Sequence, residues 1–122
     1  MIDAIKDIRK LLDKNNYIFL RTHQPEKAII PTIQFVQKYK IDNDGIFFSN
    51  IDVPKNKISN SILIDDKPEN IIHHGLDKSI IMNRPWNQSF NRERYRISNK
   101  DELLKSIKNI FYEKEFNHAR RL

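Results

Sequence analysis

The sequence predicts an α/β layer sandwich built on a mostly parallel sheet. Short apolar runs at residues 17–20, 46–48, 62–64 and 79–82 lack the polar alternation of a strand with one wet face, as expected of strands buried on both sides. Stretches with apolar residues at helical spacing separate and flank these runs. Thr22, Ser49, Asn50, Asp65, Asp66 and Asn83 fall at the carboxyl ends of the runs, the end of a parallel sheet where ligands bind.

Each element has its own signal. Ile2, Ile5, Ile8, Leu11 and Leu12 recur at helical spacing with Lys6, Arg9 and Lys10 between them, so 2–14 reads as an amphipathic helix that Asn15 and Asn16 stop. Pro25 and Pro31 bracket a loop, and Pro31 suits the first turn of the helix that follows on Ile33, Phe35, Val36 and Tyr39. The turn Asp42-Asn43-Asp44-Gly45 leads into strand 46–48. After strand 62–64, Pro68 starts a short helix and Gly75 is its natural stop. The polar, Asn- and Arg-rich stretch 83–98 reads either as a long loop or as a loop with a short edge strand at 95–97. Asn99 and Glu102 form a capping-box-like start to a last helix, whose face is Leu103, Leu104, Ile107, Ile110 and Phe111. The charged stretch 113–122, with Arg120 and Arg121, is expected to be a frayed basic tail.

At 122 residues the chain is expected to form one domain, 1–122, with little core to spare. No apolar run approaches the roughly 20 residues that span a bilayer, and the opening MIDAIKDIRK has no signal-peptide core. A soluble, cytoplasmic protein without a membrane partner is therefore expected. The lack of cysteine rules out disulfides, zinc ribbons and thiol catalysis, leaving hard ions on oxygen ligands. The net charge of +6 favours anionic partners. The same Lys/Asn/Ile-rich composition is equally that of an AT-rich genome, such as a phage or a low-GC bacterium.

Asp65 and Asp66, directly after an apolar strand, are the residues that point to chemistry. Two carboxylates held close repel unless a cation or a proton intervenes, and oxygen-only ligation suits Mg²⁺. The plain alternative is an acidic turn with Asp66 near a helix N-terminus. The residues alone leave the two evenly balanced.

The segment Asp65-Asp66-Lys67-Pro68-Glu69-Asn70 resembles the fourth motif of the haloacid dehalogenase (HAD) superfamily, in the IDD-x-P-x-N form of type-C 5′-nucleotidases and the related deoxyribonucleotidases. Lys55, ten residues before Asp65, is placed like that family's third-motif lysine, with Lys57 as a rival. Thr22, after strand 17–20, is placed like the second-motif Thr or Ser. Residues 80–88, ending in Pro85-Trp86-Asn87-Gln88, look like the family's strand followed by PWNQ. The resemblance covers roughly residues 4 to 112, and its weight lies in the order and spacing of parts that are individually common.

The resemblance implies a three-layer HAD-like (Rossmannoid) parallel sheet and a Mg²⁺-dependent phosphatase acting on nucleotides. Thr22 and Lys55 would be catalytic, Thr22 binding a phosphoryl oxygen and Lys55 neutralising charge. Asp65 and Asp66 would hold Mg²⁺, and Thr22, His23, Asn83, Arg84, Trp86 and Asn87 would lie on the substrate side. The sequence departs from the family in one respect: no D-x-D follows any apolar strand, so the nucleophile and the first, central strand are lacking. The expectation is a truncated or split nucleotidase, inactive alone, with a weak or incomplete Mg²⁺ site. It would bind a nucleotide or phosphate, and a second copy or another chain would complete its sheet. The alternative is a non-catalytic interaction or inhibitor protein that reuses the fold through its basic surface or open sheet edge. A nucleic-acid-binding module ranks third, since the basic residues form no reading motif.

Trp86 reads as a loop anchor that packs on the sheet end, although the resemblance places it near the substrate side. His23 is more commonly a lone exposed histidine than a ligand. His73 and His74 point different ways on a helix and fit stabilisation by its C-terminal dipole better than metal binding. Arg84, Arg92, Arg94 and Arg96 with Phe90 and Tyr95 could hold phosphate, and a loop with one or two structural salt bridges is at least as good a reading.

Overall fold

The computed structural model describes residues 2–12, 16–23, 26–49 and 61–121. The chain is mixed α/β and divides into two compact units, Met1–Lys55 and Asn56–Leu122.

The first unit contains α1 (Ile2–Leu11), β1 (Phe19–His23), α2 (Ile29–Lys38) and β2 (Gly45–Ser49). Pro31 sits in the first turn of α2, where its missing N–H has no helical partner to lose. β1 and β2 pair in parallel from Phe19↔Gly45 to His23↔Ser49. β1 therefore begins and ends later than the expected 17–20, and Thr22 lies inside the strand, paired with Phe48, instead of just beyond it. The shift has a non-local cause. Asp44 accepts the Ile18 N–H on its side chain and donates its own N–H to the Ile18 carbonyl, both at 2.7 Å, which sets where the ladder starts. The Arg9 guanidinium of α1 spans Asp42 and Asp44 at 2.8 Å each, tying the helix to the β2 turn.

The second unit contains β3 (Leu63–Asp65), α3 (Pro68–His74), β4 (Ser79–Met82), β5 (Arg96–Ile97) and α4 (Lys100–Arg121). The sheet order is β3-β4-β5, parallel throughout. The central strand β4 carries Ile80 and Ile81, both wholly buried on opposite faces of the sheet. Leu63 and Ile81 pack with Ile71 of α3, supported by Leu76 and Phe90. α4 packs on β5 and buries Leu103, Ile107 and Ile110. α3 starts at Pro68 as expected and stops at Gly75, whose φ of 120° belongs to glycine alone. α4 begins with the expected cap: Asn99 Oδ1 accepts the Glu102 N–H at 2.9 Å, and the Glu102 carboxylate reaches back to the Ser98 N–H at 2.9 Å. The helix is assigned through Arg121, across the segment expected to be a tail.

The parallel strands thus form two small sheets, with β1 and β3 in different ones. Among the described residues no helix is long and apolar enough to cross a membrane.

Candidate acidic site at the end of β3

β3 ends on Asp65, which is 5% exposed. Its burial is tolerable because its acceptors are used: Oδ1 takes the N–H groups of Asp66 at 2.7 Å and Lys67 at 3.1 Å, and Oδ2 takes the Asn70 side-chain amide at 3.1 Å. Asp65 thus shapes the turn from β3 into α3. Asn70 is equally buried at 2%, on the face of α3 that also buries Ile71 and His74.

Asp66 is half-buried beside it. Burial pushes its carboxyl above the usual carboxylate range. The neighbouring Asp65 adds to this through a side-chain hydrogen bond and its charge, while the Asp66 backbone N–H and the Arg84 charge oppose it. A cation would relieve this strain. Of the pair, Asp66 is the freer ligand, because the Asp65 oxygens are engaged in shaping the turn. Among the described residues no group of three or more His, Cys, Asp or Glu gathers as a metal cluster. Mg²⁺ commonly takes one or two carboxylates with water and phosphate, so a two-carboxylate set fits it.

The loop after β4 is bound to this turn. Asn87, 1% exposed, donates its side-chain amide to the carbonyls of Asp66 at 2.9 Å and Met82 at 2.8 Å. Its Oδ1 accepts the Arg84 N–H at 3.1 Å and the Arg96 guanidinium at 2.9 Å. Arg96 commits every donor it has: to Glu93 at 2.7 Å, Asn83 Oδ1 at 2.8 Å, Asn87 Oδ1 at 2.9 Å, the Asn87 carbonyl at 3.1 Å and the Phe90 carbonyl at 2.7 Å. Arg96 is therefore the hub of a folded loop. Arg94 meets Asp77 at 3.4 Å, so the structural reading of the arginine-rich stretch holds for both.

The site residues anticipated from sequence are thus distributed. Asp65, Asp66, Asn83, Arg84, Trp86 and Asn87 share the second unit, and the Asn87 contacts join the two motif-like segments. Asn87 and the Asn83 Oδ1 are engaged within the loop, whereas Trp86 is exposed and is not the packed anchor expected; Asn87 holds the turn in its place. Thr22 and His23 belong to the first unit, Thr22 half-buried in β1 and His23 closing that strand. Lys55, Lys57 and Asn50 lie outside the described residues. His74 is buried with Nε2 2.9 Å from the Ser61 carbonyl, a packing role beyond the dipole effect expected for it.

Sequence reasoning overlooked Arg96 as the hub and Asn70 as the Asp65 partner. Asn70 had a signal, since it shares the i, i+1, i+4 face of α3 with Ile71 and His74. No family model, curated protein or solved structure matches the chain.

Proposed function

We propose that the chain is a Mg²⁺- and phosphate-binding domain of the HAD-like 5′-nucleotidase type, with its strands following that three-layer plan. The observation that carries the reading is the acidic pair at the carboxyl end of a parallel strand: Asp65 locked into the turn and Asp66 beside it with its carboxyl raised by burial and by its neighbour. In this reading Asp66 is the main metal ligand and Asp65 sets its position. Arg84 and Trp86, on the turn bonded to the Asp66 carbonyl through Asn87, face the substrate. The 122 residues hold no D-x-D after an apolar strand, so the attacking carboxylate comes from outside them and the domain alone does not turn over substrate.

Calorimetric titration with Mg²⁺ is expected to give an affinity on the order of 1 mM, lost in Asp66→Asn. Nucleoside monophosphate hydrolysis is expected to be no faster than in the Asp65→Ala, Asp66→Ala double variant. Mg²⁺-dependent turnover abolished by that double variant would overturn the assignment of the nucleophile.

A second reading, a non-catalytic interaction protein, draws on the first unit. There α2 buries no residue, and Tyr17, Phe19, Ile30 and Phe35 are exposed. The same titration discriminates, because a protein that works through this apolar surface has no use for Mg²⁺ at Asp66.

A further inference from the structure

Trp86 is the chain's single tryptophan, and it is 66% exposed. Isolated exposed apolar side chains are ordinary, and exposure alone would mean little. The turn that carries this one is unusual in how firmly it is held. Pro85 opens it, Asn87 closes it with four side-chain hydrogen bonds, and Gln88 Nε2 reaches Asn83 Oδ1 and the Arg84 carbonyl, both at 2.7 Å. Arg96 fixes Asn83 and Asn87 from within. A large flat ring presented on a pre-organised turn loses little entropy when a ligand stacks on it.

Its neighbours narrow the ligand class. Arg84 supplies a cation two residues away, and the Asn87 amide bonds the Asp66 carbonyl, which brings the turn against the acidic pair. All of this lies at the carboxyl ends of β3 and β4. A flat aromatic surface on the turn that carries Arg84, with that turn bonded to the backbone of a candidate metal ligand, matches a molecule with an aromatic ring at one end and an anion at the other.

We propose that Trp86 is the stacking platform for the base of a nucleotide. Only the phosphate end of that ligand rests on the metal- and phosphate-binding reading above. The stacking end rests on the exposure and anchoring of Trp86 itself.

Because there is one tryptophan, its fluorescence reports on this ring alone. Titrating the whole chain with adenosine 5′-monophosphate in the presence of Mg²⁺ is expected to quench it saturably, whereas ribose 5-phosphate leaves the emission unchanged. Equilibrium dialysis of the same nucleotide is expected to show about tenfold weaker binding to Trp86→Ala and partial recovery in Trp86→Phe, with far-ultraviolet circular dichroism unchanged. Quenching that rises linearly without saturation, or unchanged affinity in Trp86→Ala, overturns the proposal. An oligoadenylate that binds more tightly as it lengthens would assign the platform to single-stranded nucleic acid and also overturn it. Asp66→Asn separates the two readings: saturable quenching that survives it, with ribose 5-phosphate unable to compete, leaves the platform standing while the metal and phosphate reading fails.

Discussion

Lys40 holds a φ of 50°, in the left-handed region, where a side chain is disfavoured. It is there because α2 ends in a Schellman arrangement: the Lys40 N–H donates to the Gln37 carbonyl at 3.2 Å and the Ile41 N–H to the Val36 carbonyl at 3.0 Å. Lys40→Gly is expected to stabilise the chain by about 1 kcal/mol, read as a higher urea midpoint, because glycine adopts this conformation without steric cost. Arg96 is the opposite case, a residue whose loss should be felt widely. Arg96→Met keeps much of the apolar stem but strips partners from Glu93, Asn83, Asn87 and Phe90 together. It is expected to cost about 2–3 kcal/mol in denaturant unfolding, with water replacing some of the lost bonds. Neither role was legible beforehand. A basic residue in a polar loop has no sequence signature that tells a phosphate ligand from a hub, and Arg96 finds partners between three and 13 residues away.

Among the elements, the junction of α1 with the β2 turn carries the clearest pH signature. The Asp44 carboxyl lies below the usual carboxylate range, first because it accepts the Ile18 N–H and then because Arg9 pairs with it. A depressed carboxylate contributes stability that is present above its unfolded value of about 3.9 and is lost as the pH falls through its lower folded value. Acid titration followed by circular dichroism is therefore expected to show α1 and the β1-β2 pair weakening from about pH 4 downward. Asp44→Asn should be less stable at neutral pH and should lose part of that acid dependence. Among the described residues, the α-helices and the strands β2, β3 and β4 were foreseen where local chemistry marks them, as at Pro68, Gly75 and the Asn99–Glu102 cap, while β5 was one of two readings of its stretch. β1 was misjudged by two to three residues because its ends depend on β2 and Asp44, some 26 residues later, and not on its own apolar run.

For the whole molecule, a ligand that binds only the folded state raises stability by mass action. If Mg²⁺ binds at Asp66 with an affinity on the order of 1 mM, 10 mM Mg²⁺ is expected to add about 1.4 kcal/mol to unfolding, an increment absent from Asp66→Asn and insensitive to equivalent ionic strength from NaCl. The α/β class, the parallel strands and the acidic pair at a strand end were all present in the sequence, because strand burial, helical spacing and helix caps are local patterns. Tertiary structure alone decided that the strands form two sheets, that Asp65 is consumed by its own turn while Asp66 is the freer carboxylate, and that Asn87 and Arg96 brace the loop that presents Trp86. These outcomes rest on hydrogen bonds between groups distant in sequence. Such bonds depend on which donors and acceptors burial brings together, and composition and spacing do not specify that.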